Sequence, residues 1–359
     1  MRIVVLGGGG DMGGHAVRDL LTHSTAQVTI ADRRVEAAQQ YVHESRGRLD
    51  TALVDATDEE ALVEVLAGAD AAVGCIGPFF EFAARLVRAA IRAGTPYVDI
   101  CDDWGPVREI RGMDGWARAA GVPVITGLGW TPGITNLMAK RGAQRLDEVD
   151  EVKVAWAGSA ADSAGFAVLM HVAYAITGEV PTFRDGETIT VPARSGVEPV
   201  EFPEPLGRVW VSHCGHPEPL TLPAALEART VSLKGGLTPQ WNNRLAGALS
   251  DIGLFANPIR MRRVAGVIHQ LEGLLRFGGV PFSGARVDVN GRKDGRSVVH
   301  SYATVDKMGR LTGIPAAIGA LRLAERQVTA PGIHAPEDVI EPESFFAELR
   351  DRAVEVVEL

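Results

Sequence analysis

The residues best placed to do chemistry come first in the chain. Gly7 to Gly14 reads GGGGDMGG, directly after the apolar, β-branched run Ile3 to Leu6. Backbone without side chains, leading into the first amides of a helix, is what a pyrophosphate needs. Two registers overlap: Gly8, Gly10 and Gly13 give G-x-G-x-x-G, and Gly7, Gly10 and Gly13 give G-x-x-G-x-x-G. Asp11 and Met12 lie inside the loop and would offer their amides to the same anion. A plain strand-to-helix turn uses glycines too. Asp32 favours the dinucleotide. It ends a second apolar run, Val28 to Ala31, where an acid accepts hydrogen bonds from the adenosine ribose. Its structural alternative is a cap on the helix containing Glu36. Arg33 and Arg34 would suit a 2′-phosphate, so NAD is the expected cofactor and NADP the alternative. Asp55 and Ala56 are expected near adenine. Ile76, Gly77 and Pro78 are expected near the nicotinamide ribose, although Gly77-Pro78 also fits a simple turn before a helix.

A hydride acceptor implies a redox substrate, and its oxidation calls for a base and for a fixed charge opposite to the one that develops at the reacting carbon. Asp102 and Asp103 follow a strand and are candidates; a cap on the helix near Gly105 is the alternative for one of them. His171 sits in the apolar helix GFAVLMHVAYAI, where a packed core histidine is the bland reading. Lys234 precedes two glycines and reads either as a ligand contact or as a surface loop residue. Trp130, Thr131 and Asn136 are expected to bind substrate, with interface packing the equal alternative for Trp130. His213, Cys214 and His216 are too close together, with no distant partner, to form a zinc site, so no metal is expected. None of Tyr41, Tyr97, Tyr174 or Tyr302 has a lysine four residues on, and no G-x-S-x-G elbow or H-E-x-x-H helix occurs.

Elements must carry these groups. Strands read at 3–6, 28–31, 52–54, 71–76, 97–100 and 122–125, and helices near 34–46, 58–67, 79–93 and 106–120. That alternation predicts an α/β Rossmann domain with a doubly wound parallel sheet. Ligands would then sit at the carboxyl ends of its strands. Thr131 reads as a helix N-cap with Pro132 at the first helical position. After about residue 150 the pattern changes. Strands read at 152–157, 208–213 and 230–233, and helices near 165–177, 241–254 and 313–326. A hairpin over 285–305 is expected to turn at Asn290-Gly291 to Gly295. This second part is expected to be α+β with an open antiparallel sheet that builds a homodimer. The expected domains are 1–130 (Rossmann) and 131–310 (substrate and dimerisation).

The net charge of −9 disfavours nucleic-acid partners. No apolar run is long enough to span a bilayer, so no membrane partner is expected. Three cysteines without framework spacing fit a reduced, cytoplasmic setting. The chain opens directly on a strand, so no signal peptide is expected.

Five stretches together resemble the saccharopine dehydrogenase-like oxidoreductases, and among them the lysine 6-dehydrogenase branch. They are VVLGGGGDMG from Val4, the Gly77-Pro78-Phe79 turn, YVDICDD from Tyr97, GLGWTPGITNLMA from Gly127 and LTGIPAAIGALRLAERQVTAPGIHAPEDV from Leu311. The chain departs from the pattern at Asp11, where an apolar residue is usual, and at Trp130, where a smaller one is common. The resemblance implies an inserted catalytic and dimerising domain, a C-terminal segment over 311–359 that packs back on the Rossmann domain, and hydride transfer between nicotinamide and a carbon bearing nitrogen in an amino acid or opine-type substrate. Two other functions fit the dinucleotide loop: a non-enzymatic dinucleotide sensor or scaffold, and a carbonyl or enoyl reductase.

Overall fold

Ile3, Val4, Val5 and Leu6 are all fully buried in the first strand, β1 (Arg2–Leu6). A strand this apolar on both faces belongs inside a parallel sheet covered on both sides. The computed structural model describes residues 1–163 and 165–359, the side chains of Glu44 and Glu272 aside. The chain divides into two compact units, residues 1–134 with 309–341 and residues 135–308 with 342–359. The segment expected at 311–359 is thus shared between the units.

The first unit is built on β1, β2 (Gln27–Asp32), β3 (Leu49–Leu53), β4 (Ala71–Gly74), β5 (Tyr97–Asp99) and β6 (Pro123–Ile125). Their spatial order is β3-β2-β1-β4-β5-β6, and Gly332–His334 adds a seventh strand beside β6. Every pairing is parallel. The order reverses between β1 and β4, the switch point where α/β sheets bind ligands. Helix Met308–Ala324 packs against the glycine-loop helix, Asp11–His23. Added Cβ atoms at Gly309 and Gly313 would strike His15, and Gly313 also abuts the Met12 carbonyl.

Three sequence expectations change here. β3 begins at Leu49, not 52, because it is an edge strand whose Asp50, Thr51 and Leu53 are exposed and so carries no apolar run. The helix near 34–46 is a 3₁₀ helix, Val35–Tyr41, followed by one α turn, Val42–Ser45. The helix at 106–120 is two helices, Trp104–Arg111 and Asp114–Ala120. Asp114 restarts the chain by accepting from the Ile333 amide (2.9 Å) and Arg118 Nε (2.7 Å), tying the new helix to the seventh strand.

The second unit carries β7 (Glu148–Ser159), β8 (Glu179–Arg184), β9 (Glu187–Pro192), β10 (Glu198–Glu201), β11 (Arg208–His213), β12 (Thr230–Thr238), β13 (Ser283–Lys293) and β14 (Arg296–Asp306). The sheet runs β10-β11-β12-β7-β13-β14 and ends on Val357–Glu358. It is mixed, not antiparallel throughout: β7 and β12 run parallel from Glu151↔Thr230 to Ser159↔Thr238. The long crossover between them, through helix Phe166–Ala175 and the β8–β9 hairpin, permits that direction. The β13–β14 hairpin turns at Asp294-Gly295, both with positive φ, as a two-residue turn requires. Asn290-Gly291 instead marks a bulge where β13 meets β7. Helix Ile134–Ala143 lies on the β13–β14 face, where Gly142 comes against Val289 and Tyr302. The helix expected near 313–326 starts five residues earlier, at Met308. No helix among the described residues is long and apolar enough to cross a membrane.

Candidate functional site

In the first unit, the loop after β1 has the form of a pyrophosphate cradle. Gly7 has φ +83°, a conformation that glycine adopts freely, and its carbonyl accepts the Gly10 amide at 3.0 Å. Gly13 lies so close to that carbonyl that any Cβ would collide with it. Gly8 is hemmed in by Val17 and Ile30. Gly10 differs: a Cβ there would meet only the Gly7 carbonyl oxygen, at 3.2 Å. Gly10 is the loop glycine that the protein's own packing constrains least, and it caps the Asp11–His23 helix, the terminus an anion would approach. In the Gly7, Gly10, Gly13 register, Gly7 thus makes the turn and Gly13 the close packing of helix on loop. Asp11 and Met12 form the first turn of the helix.

Asp32 ends β2 with one oxygen accepting from the Gly9 amide (3.1 Å) and the other from the Arg34 amide (3.0 Å). It joins the loop to the strand end rather than capping a later helix, and both oxygens keep lone pairs for a ribose. Arg33 is exposed beside it. Asp55 accepts from the amide and hydroxyl of Thr57, at 2.9 and 2.8 Å, and these bonds hold its carboxyl below the usual range. Ala56 is buried behind it. Across the switch point, Ile76 and the Cys75 carbonyl come to 3.0 Å from where a Gly7 Cβ would stand. Gly77-Pro78 is a cis peptide, and Pro78 precedes helix Phe79–Ala93.

The YVDICDD stretch contains three acids in different settings. Asp99 is fully buried, with one oxygen accepting from Gly127 N (2.8 Å), Cys101 N (3.0 Å) and Thr126 Oγ1 (3.0 Å). Burial pushes its pKa up to about 6, against the lowering effect of these bonds. Sequence reasoning missed it. The signal was present: an acid closing a wholly buried strand must be satisfied by its surroundings. Asp103 is also fully buried and accepts from Phe80 N at 2.9 Å, holding the first turn of the Phe79–Ala93 helix. Asp102 is half-buried at the carboxyl edge of the sheet.

Trp130 and Thr131 are buried, and Thr131-Pro132-Gly133 forms a turn rather than a helix start. Gly129 N donates to Pro132 O and Ile134 N to Gly129 O, both at 3.0 Å, so the helix begins at Ile134.

The second unit gathers a different set. His171 Nε2 lies 3.2 Å from His216 Nε2, with the rings nearly perpendicular at 89°. His216 is 2% exposed, and burial, then the neighbouring His171, hold its imidazole well below its ordinary pKa. Its Nδ1 is 3.7 Å from Oε2 of Glu218, which has no exposure. Thr135 Oγ1 donates to Glu218 Oε1 at 3.0 Å, and Trp156 stacks at a tilt, 5.7 Å from the His216 ring. Burial, then the Glu218 charge, push the Cys214 thiol well up. Asn136 is fully buried, with Nδ2 on Thr221 Oγ1 at 3.3 Å. Of this group, sequence reasoning singled out only His171 and Asn136 for function.

Lys234 does not join this cluster. Gly235, paired with Trp156, gives its Cα face to the indole. Side chains alternate along a strand, so Lys234 points to the opposite face of the sheet. There it donates to Glu198 at 2.7 Å beside its cross-strand partner His213. Burial first, then the Lys234 charge, lower the pKa of His213.

Residues 3–120 match the family described as the saccharopine dehydrogenase NADP binding domain. The whole chain is similar to apo histidine-tagged saccharopine dehydrogenase (L-Glu forming) from Saccharomyces cerevisiae: 18% identity, TM-score 0.68, covering 100% of this chain and 99% of that one. It is also similar to C. glutamicum DAP dehydrogenase in complex with DAP, at 14% identity and TM-score 0.50 over 98% of each chain. At these identities the two likenesses are of fold. Over residues 3–120 the chain therefore matches the saccharopine dehydrogenase NADP binding domain, and as a whole it is similar in fold to saccharopine dehydrogenase.

Proposed function

We propose that this chain is an NAD(P)-dependent dehydrogenase that acts on the CH–NH group of an amino acid or opine-type substrate, with lysine oxidised at its terminal carbon as the leading case. The observation that carries the reading is the glycine loop Gly7 to Gly13, with Gly10, its least constrained glycine, at the helix N-terminus of a domain that matches the saccharopine dehydrogenase NADP binding domain. Similarity to dehydrogenases named for saccharopine and DAP supports a nitrogen-bearing substrate.

When bound, the nicotinamide supplies a hydride acceptor. The chain's residues do the rest. Gly7 to Gly13 hold the pyrophosphate and Asp32 orients the ribose, whose hydroxyls it accepts in preference to a 2′-phosphate. Two of the acids in YVDICDD are engaged with backbone amides of their own unit, Asp99 at Cys101 and Gly127, and Asp103 at Phe80. Asp102 stands half-buried at the carboxyl edge of the sheet, and we assign to it the stabilisation of positive charge as an imine forms. Asp102→Asn should lower turnover at least roughly tenfold, about 1.4 kcal/mol, with dinucleotide affinity little changed. Lysine deuterated at its terminal carbon tests the reaction. Deuterium should appear in the reduced dinucleotide, and its absence from that product during turnover would overturn the reading.

A further inference from the structure

We propose that helix Pro258–Gln270 and the segment running on to Phe277 dock this chain in the plane of an anionic lipid bilayer. The surface lies wholly in the second unit, and the proposal is independent of the dehydrogenase reading.

The helix is locally specified. Asn257 caps it, its side chain accepting from Arg260 N at 2.9 Å, and Pro258 takes the first helical position. Met261 and Ala265 are buried on its inward face, with Val264 and Ile268 half-buried beside them. That accounts for one apolar face, and the helix has a second. Ile259, Arg263, Val267 and Leu271 follow at spacings of four, which places them on one side. All four are exposed, Ile259 by 67% and Leu271 by 51%. Leu274 and Phe277, exposed by 66% and 83%, continue the apolar surface past the helix end. Trp241 Nε1 donates to Phe277 O at 3.4 Å and Asn242 Nδ2 to Leu275 O at 3.1 Å, so helix Trp241–Asp251 fastens the segment and adds its own exposed Trp241. A run of exposed apolar side chains of this extent marks an interaction site.

Charge selects the occupant. The stretch from Ile252 to Leu271 contains Arg260, Arg262 and Arg263 and no acid, in a chain whose acids outnumber its lysines and arginines 45 to 36. Arg262 lies over the Phe166 ring, 5.8 Å from its centroid, whereas Arg260 and Arg263 are exposed. The occupant must be apolar and anionic together. A nucleic acid would meet the arginines and leave the apolar side chains in water. A second copy docked through the same face would bring Arg263 towards its own counterpart, because an isologous contact sets a patch against itself. A groove in an acidic protein would bury the Arg263 guanidinium between Ile259 and Val267, at a desolvation cost. A bilayer surface avoids all three. The apolar side chains enter the acyl boundary, while Arg260 and Arg263 lay their stems along it and raise their guanidinium groups to the lipid phosphates. Trp241 and Phe277 suit the headgroup level. The remainder of the chain is acidic and is repelled by such a surface, which leaves this segment as the contact. The lack of an apolar run long enough to span a bilayer does not bear on a helix that lies in its surface.

The test is flotation of the full chain with phosphatidylcholine vesicles, with and without phosphatidylserine. The parent should float with the mixed vesicles and stay behind with phosphatidylcholine alone. Phe277→Ser and Leu274→Ser should each lower the partition coefficient roughly tenfold, at the parent's melting temperature because neither side chain is buried. Leu53→Ser, which changes a leucine 74% exposed in the first unit, should float like the parent. Replacing Arg260 and Arg263 together by glutamine should remove the preference for phosphatidylserine. Equal flotation of the parent with both kinds of vesicle would overturn the proposal, as would Phe277→Ser floating like the parent or Leu53→Ser losing as much as Phe277→Ser. A parent that does not float, together with a Phe277→Ser monomer where the parent sediments as a dimer, would assign the face to a second copy. A parent that does not float, with assembly unchanged in Phe277→Ser, would leave the face to a protein partner and equally overturn the proposal.

Discussion

Gly10 and Asp99 are the two residues whose roles depend most on their surroundings. Gly10→Val should abolish dinucleotide binding while the chain stays folded, because a branched side chain would occupy the pyrophosphate site and the one protein atom within 4 Å of its Cβ is the Gly7 carbonyl oxygen, at 3.2 Å. Fluorescence titration with NAD and NADP checks this, and the parent should bind NAD more tightly because of Asp32. Asp99 bears on stability. Its folded pKa of about 6 lies above its ordinary 3.8, so the folded state holds the proton more firmly. That contribution is fully present below pH about 3.8 and is lost as pH rises through about 6. Asp99→Asn offers a carboxamide oxygen to the same three donors and should flatten this slope. Asp99→Ala leaves them unpaired and should cost about 1–3 kcal/mol. Urea titrations at several pH values give both numbers. At this scale the sequence was partly legible. The glycine loop and Asp32 can be read because their spacing is dictated by the ligand's own dimensions. His216 and Glu218 could not, because their meaning comes from His171 and Thr135, 45 and 83 residues away in the chain.

Elements were legible where one physical signal dominates. The buried parallel strands and helix Phe79–Ala93 declare themselves by apolar runs and helical periodicity. Edge strand β3 and helix Glu218–Leu226, which has Pro219 and Pro223 within it, carry signals that oppose their structure. The sheet of the second unit was read as antiparallel because local sequence contains hairpins but not the direction in which a distant strand returns. The parallel β7–β12 pair has a cost in sequence freedom at Gly235, where any Cβ would enter the Trp156 indole. Gly235→Val should therefore destabilise the second unit by about 1–3 kcal/mol through overpacking, measured by urea unfolding. Stability equal to the parent's would mean that Trp156 moves aside freely, and the packing around His216 with it.

For the molecule as a whole, composition indicated the class: a net charge of −9 and an ordinary apolar content suit a protein with small-molecule ligands. We expect a homodimer formed through the sheet of the second unit, and sedimentation at micromolar concentration should show twice the 38.2 kDa chain mass. A single species at the chain mass would exclude it. Neither the dimer nor the substrate follows from fold, since one fold serves many reactions. The most direct measurement is nicotinamide absorbance in purified protein given NAD or NADP with lysine, other diamino acids, or keto-acid and amine pairs run in reverse. The account predicts turnover of at least one nitrogen-bearing substrate, absent in Gly10→Val. Tight dinucleotide binding by the parent with no change in absorbance for any of them would contradict it.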